Sequence, residues 1–257
     1  MNKFPVCFIG HGSPMNAIEE NEFTLTWKKI ASLIPKPKAI VCISAHYLKK
    51  GVFITSSNEP KIVYDFFGFP DELYFTDYKV QGSDSLASEI SEKIKFTNIE
   101  LDPLCGFDHG TWSVLKQMFP NPDFPILQLS LNVMKPMDWH SEFAKSLSVL
   151  RKEGILIIGS GNIVHNLGLL NFQRMSEQLD WAIEFDLYIQ KNISERKMEN
   201  LLNPTHKYFN KSVPTLDHYL PMIYIASMLE KEERVQFFNS KTLSSISMTS
   251  FISSFDV

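Results

Sequence analysis

The sequence predicts the α/β fold class. Short β-rich apolar runs alternate with amphipathic stretches along its 257 residues, the pattern of strands laid against helices. Length and a hydrophobic content of 44% suffice for a substantial core. No repeat, low-complexity block or linker interrupts the alternation, so residues 1–257 read as a single domain.

Val6–Ile9 reads as a buried strand running into Gly10-His11-Gly12-Ser13-Pro14, where glycine lets the backbone turn sharply. Phe23–Ile34 reads as a helix with Leu25, Ile30, Leu33 and Ile34 near one face, stopped by Pro35 and Pro37. Ala39–Ile43 is a second buried strand followed by Ser44-Ala45-His46-Tyr47, and Val52–Thr55 could pair beside it. The aromatic-rich segment Tyr64–Tyr78, broken by Gly68 and Pro70, reads as a long ordered loop, a type that often carries function. Ser83–Ile94 is a helix with Leu86, Ile90 and Ile94 on one side, and Gly110–Met118 is another, entered from Phe107-Asp108-His109. Ile126–Leu131 is a strand, Met137–Arg151 a helix, and Ile155–Ile158 a strand ending at Gly159-Ser160-Gly161. Ser176–Ile193 makes a long helix, Tyr219–Leu229 an apolar core helix, and Val235–Phe238 and Ser245–Ser250 late strands.

Composition excludes several classes. A net charge of -4 leaves no basic surplus for nucleic-acid phosphates. No apolar run approaches the length of a membrane span, and the N-terminus lacks a signal-peptide pattern. Cys7, Cys42 and Cys105 are odd in number without C-x-x-C spacing, so buried thiols and a reduced, cytoplasmic setting are expected.

The seven histidines are more telling by position. His11, His46 and His165 each follow a strand, and ligands of open α/β sheets bind beyond the carboxyl ends of strands. His109 and His218 each precede a helix in short polar segments, Asp108-His109-Gly110 and Asp217-His218-Tyr219. Five histidines at element ends could converge as metal ligands or proton carriers; each alone could equally be a hydrogen-bonded turn residue. His140, on an apparent polar helix face, and His206, in a polar loop, read as ordinary. Gly159-Ser160-Gly161-Asn162 lacks a Walker lysine and the G-x-S-x-G pattern, and no cysteine has an activating neighbour in sequence.

Seven stretches in order, FIGHGSPMNAI, ISAHY, YDFFGFPDELY, GFDHGTWSVLKQMFP, PILQLSLN, IIGSGNIVHNLG and PTLDHYLP, resemble the extradiol ring-cleaving dioxygenases of the LigB superfamily, closest to the 4,5-DOPA dioxygenase branch. They run from residue 8 to residue 221 and cover nearly the whole chain. The resemblance implies a LigB-like three-layer sandwich, a central mixed sheet flanked by helices. It implies one divalent metal held by His11, His46 and His218, with His165 as acid–base group or further metal contact and His109 as a second catalytic histidine touching substrate or oxygen. Iron(II) would serve dioxygenase chemistry, and zinc could be resident instead, since a third histidine replaces the usual carboxylate. The implied partners are a DOPA-like catechol, opened to a semialdehyde, and O2. Asp65 could meet the substrate amine, the aromatic loop could wall a flat ring or be core, and Asn166 reads as a cap or turn residue. A zinc hydrolase on the same histidines, or a non-catalytic metal-binding signalling protein of the same fold, are the rival readings.

Overall fold

Alternate residues of the central strands enter opposite cores. Val6 and Phe8 pack with Val41, Ile43, Leu127, Leu129 and Ile157, while Cys7 and Ile9 pack with Ile40, Cys42, Ile126, Leu156 and Ile158. Side chains alternate across a strand, so a run apolar at every position needs cover on both faces. The computed structural model describes residues 3–254; the outermost residues of the 1–257 span lie outside the described part.

The strands are β1 (Val6–Gly10), β2 (Ala39–Lys49), β3 (Phe53–Thr55), β4 (Glu100–Asp102), β5 (Ile126–Asn132), β6 (Ile155–Gly161), β7 (Val235–Phe238), β8 (Thr242–Leu243), β9 (Ile246–Ser247) and β10 (Ser250–Ser253). Eight form one mixed sheet in the order β4-β3-β5-β2-β6-β1-β10-β7, and β8 pairs with β9 separately. β5, β2, β6 and β1 run parallel, whereas β10 and β7 add antiparallel edges. The helices are α1 (Glu22–Leu33), α2 (Asp71–Tyr74), α3 (Asp84–Lys93), α4 (His109–Met118), α5 (Met137–Leu147), α6 (Asp180–Ser194), α7 (Met198–Leu202), α8 (Phe209–Ser212) and α9 (Leu220–Ser227). Residues of α3, α5, α6 and α9 cover one face of the sheet, and residues of α1 and α4 cover the other.

Several elements differ from the sequence reading. β2 continues through His46 to Lys49 with an irregular register between Ile43 and Leu48. His46 therefore sits within the strand's distorted end. β3 pairs with β5 and not with β2, because β5 takes the place between them. In α1 the buried stripe is Phe23, Trp27, Ile30 and Ala31, while Leu25 and Leu33 face solvent; Trp27 fixes the rotation of the helix. α5 ends at Leu147 and tightens into a 3-10 turn over Ser148–Glu153. α6 starts only at Asp180, and the aromatic loop contains the single turn α2. The late Ser245–Ser250 strand is two short ones, β9 and β10. His140 lies fully buried beneath α9, with its Nδ1 2.8 Å from the Tyr224 hydroxyl, so its face of α5 is the core face.

Candidate active site

Three neighbouring parallel strands, β2, β6 and β1, end side by side. Their register sets Ser44 opposite Ser160 and Gly10 opposite Gly161, and His11 follows β1 directly. The His11 amide donates to the Gly161 carbonyl at 3.1 Å, and Gly12 then reverses the chain at φ +62°, a conformation that favours glycine. His218 is tied to the same edge, because its carbonyl accepts from the Asn162 amide at 2.9 Å. A Cβ on Gly161 would lie 2.2 Å from that carbonyl oxygen, so the close approach requires glycine. His109 opens α4, whose N-cap Asp108 accepts from the Thr111 amide and from Ser44 Oγ. Gln128 Nε2 also donates to Asp108. Burial, partly opposed by the Ser44 bond, pushes the Asp108 carboxyl up to about 6.

These elements bring five histidine rings together. Ring centroids are 5.2 Å apart for His11–His46, 4.0 Å for His46–His109, 5.3 Å for His11–His218 and 4.8 Å for His46–His218. His165 stacks flat on His218 at 3.4 Å and 5°. The tightest potential ligand group is His11, His46 and His109, with one nitrogen from each within 4.8 Å of the others. It shares two residues with the set implied by family resemblance and replaces His218 with His109.

Hydrogen bonds orient three of the rings. The Ser160 hydroxyl donates to the Gly110 carbonyl at 2.5 Å, so the same oxygen must accept from His11 Nδ1, 2.9 Å away. His11 therefore carries its proton on Nδ1 and presents the Nε2 lone pair. Asp217 accepts from His218 Nδ1 at 3.1 Å, and Asp65 accepts from both the amide and Nδ1 of His109, at 2.9 and 3.0 Å. Its second oxygen lies 3.7 Å from His46 Nδ1. Burial raises both carboxyls, but the bonds from His109 and His218 prevail and hold Asp65 and Asp217 below the usual range. Burial, then the neighbouring histidines, hold His11 and His46 well below the usual imidazole value. Burial also lowers His218 against the pull of Asp217, and burial with His218 lowers His165 to about 3.

The donor set fits a divalent metal. Neutral imidazoles are its ordinary nitrogen ligands. His11 and His46 point their Nε2 atoms at each other across 3.4 Å, and His218 Nε2 is buried without a hydrogen-bond partner. A buried polar atom left unpaired is costly unless something meets it, and a shared cation would meet all three.

The histidines open into a cavity of about 1240 Å³ whose wall includes Phe66, Phe67 and Phe69. The aromatic loop is part core and part cavity lining. Phe66 is 7% exposed and packs edge-on against His109, whereas Phe67 is 91% exposed. Asp65 is committed to His109 and Asn166 makes no cap bond, donating instead to the Lys211 carbonyl. His206 lies apart among Phe185, Tyr188 and Glu184. Ser160, which its sequence neighbours present only as part of an incomplete phosphate-loop or nucleophile pattern, is the partner of His11. Its place on the middle one of three converging strands was the available signal.

Residues 7–252 match the family model described as the catalytic LigB subunit of aromatic ring-opening dioxygenase. A 4,5-DOPA dioxygenase extradiol of Escherichia coli (strain K12) is 38% identical over 240 residues, 91% of this chain and 88% of that protein. One from Beta vulgaris is 33% identical, covering 84% of this chain and 83% of its own. The crystal structure of an uncharacterized Escherichia coli K12 protein superposes with a TM-score of 0.86 at 35% identity, over 97% of this chain and 99% of that one.

Proposed function

The chain belongs to the LigB family of aromatic ring-opening dioxygenases, and from that premise we propose that it opens the ring of a DOPA-like catechol with O2 to give a semialdehyde. Residues 1–257 act as one catalytic domain in this reading. The observation that carries it is the convergence of five histidines on one aromatic-walled cavity. Three carry their proton on Nδ1 toward a fixed acceptor and leave Nε2 free for the centre, His11, His109 and His218.

His11, His46 and His218 hold the metal, and the unpartnered Nε2 of His218 favours it as the third ligand. The tighter cluster with His109 favours that residue instead, and metal stoichiometry of single variants separates the two. Iron(II), bound there, supplies the electronic link between catechol and dioxygen. His165 is the acid–base group. Its ring is half-buried and stacked on His218, and among the described residues its ring nitrogens make no hydrogen bond. Neutral at physiological pH, it can take a catechol proton and later return it to a leaving oxygen. His109, fixed by Asp65 through Nδ1, presents Nε2 to substrate or oxygen. Phe66 and the neighbouring aromatics exclude water and flank a flat ring.

The test is anaerobic loading with iron(II), then air and DOPA. Oxygen uptake with a yellow semialdehyde is expected. No uptake with any catechol, together with ester or amide hydrolysis by the zinc-loaded protein, would sink the reading.

A further inference from the structure

Residues 245–250 form a strap joined to the ends of both β6 and β1. On the β6 side, the Asn166 amide donates to the Ser245 carbonyl at 3.1 Å and the Ser247 amide to the Val164 carbonyl at 2.9 Å, with His165 bridged to Ile246. Asn162 Nδ2 donates to the Ser247 carbonyl at 2.8 Å. On the β1 side, the Gly10 amide donates to Ser250 Oγ at 3.0 Å. A Cβ on Gly10 would lie 2.7 Å from the Met248 carbonyl carbon. One strap thus contacts the segments that carry His165 and His11.

Its side chains alternate, as extended backbone requires. Ile246 and Met248 line the histidine cavity, while Ser247 and Thr249 turn to a single carboxylate, Asp186 of α6. Ser247 Oγ donates to Asp186 Oδ1, and Thr249 Oγ1 and Gln190 Nε2 donate to Oδ2 at 2.8 and 2.6 Å. With its proton so placed, Ser247 Oγ accepts from the Thr249 amide at 3.1 Å, which fixes the bend between them. Asp186 is 3% exposed, and burial pushes its carboxyl up against those three bonds, none of them from a cation. A buried carboxylate without a cation is costly to keep for packing alone. Here it is the acceptor that holds two strap hydroxyls on one side and leaves Ile246 and Met248 on the other. Building on the catechol-opening reading, in which His165 moves the proton and His11 holds the metal, we propose that Asp186 is a positioning residue that acts through the strap to set both histidines.

Asp186→Leu removes the carboxylate, and Asp186→Asn keeps its shape and one acceptor oxygen. Tyr224→Phe, which removes the buried partner of His140 and none of the strap's bonds, controls for lost stability. In the chelator-treated, histidine-labelled protein, the ring resonances of His165 and His11 should move in Asp186→Leu and largely return in Asp186→Asn. They should stay in place in Tyr224→Phe. After iron(II) loading, kcat with DOPA should fall by about 10–100-fold in Asp186→Leu, the scale of a small misplacement of reacting groups. KM should stay within about twofold, since the binding surface is kept. Where Asp186→Leu does not fold, Ser247→Ala combined with Thr249→Val removes the same two bonds from the strap side and should reproduce both effects. Stability lost with the two rings and kcat unmoved, or equal movement of the rings in Tyr224→Phe, overturns the proposal. A parent protein that turns over no catechol counts against the ring-opening reading alone, because the ring resonances still decide the positioning.

Discussion

Replacing Ser160 with alanine tests how the sheet controls the site. Ser160 is fully buried, donates to the Gly110 carbonyl and accepts from His11 Nδ1. Alanine removes both bonds with little change in volume, leaves the buried His11 Nδ1–H without its partner and takes from the Gly110 carbonyl the bond it accepts outside α4. Each such loss costs about 1–3 kcal/mol, so unfolding stability should fall by roughly 2–4 kcal/mol once partial relaxation is counted. For a chain of this size that corresponds to a melting shift of about 4–16 °C. The His11 ring also loses the contact that fixes its tautomer and plane. Loss of such an outer partner typically weakens metal binding by about 10–100-fold. Competition against a chelator of known affinity measures the second effect, and thermal unfolding of the chelator-treated protein measures the first. If Ser160→Ala binds zinc within about twofold of the parent while His11→Ala loses it, Ser160 does not hold His11 and the tautomer argument fails.

Metal content after dialysis should fall to well below one equivalent in His11→Ala, His46→Ala and His218→Ala but persist in His109→Ala; loss in His109→Ala with retention in His218→Ala would reassign the third ligand. Glu233→Gln leaves the 1%-exposed Arg151 guanidinium without its carboxylate partner and should cost about 3–5 kcal/mol in urea unfolding. Burial raises Glu233, but the Arg151 bond prevails and holds it below its unfolded value. Its contribution is therefore complete above the ordinary glutamate range and declines as pH falls through the folded value. The stability gap between parent and Glu233→Gln should narrow on acidification, and a gap that widens would contradict the pairing. Trp27→Ala should cost about 3–5 kcal/mol by opening a cavity under α1, read from the shift in urea midpoint; a change below about 1 kcal/mol would deny Trp27 its anchoring role.

Where backbone periodicity and burial coincide, the sequence is readable. The unbroken apolar runs that open β1, β2 and β6 announce a sheet covered on both faces, and the histidines beyond them announce the edge that matters. What escaped reading depends on contacts distant in sequence. The face of α1 is set by Trp27 reaching the core, which a stripe that also includes Leu25 and Leu33 obscures. His140 looks polar beside Asp138, Ser141 and Glu142, yet its partner Tyr224 lies 84 residues away. β3 adjoins β5 because of sheet order, and nothing local in Val52–Thr55 encodes that choice. The same holds for Ser160, whose role exists only once β1 and α4 flank β6.

The second contacts of the histidines explain why the site needs the whole fold. His11 is backed by Ser160 of β6, His218 by Asp217 beside α9, and His109 by Asp65 of the aromatic loop. Asp65 also reaches toward His46, so one loop residue addresses histidines from β2 and α4 together. A free loop would pay no heed to either ring, but Phe66 packs on His109 and Trp112 and seats the loop against α4. Placement of the cavity wall and orientation of the histidines are thus one event. A substitution that unseats Phe66 should therefore disturb His109 before it disturbs the sheet, because the core under α3, α5, α6 and α9 takes nothing from the loop, and the opposite core keeps Leu73 and Tyr78 of the loop beside α1 and α4 when Phe66 is lost. In Phe66→Ala the His109 side-chain resonances should broaden or shift while β-sheet amides remain protected from exchange. Loss of sheet protection at the same time would show that the loop is part of the folding core and not a wall laid upon it.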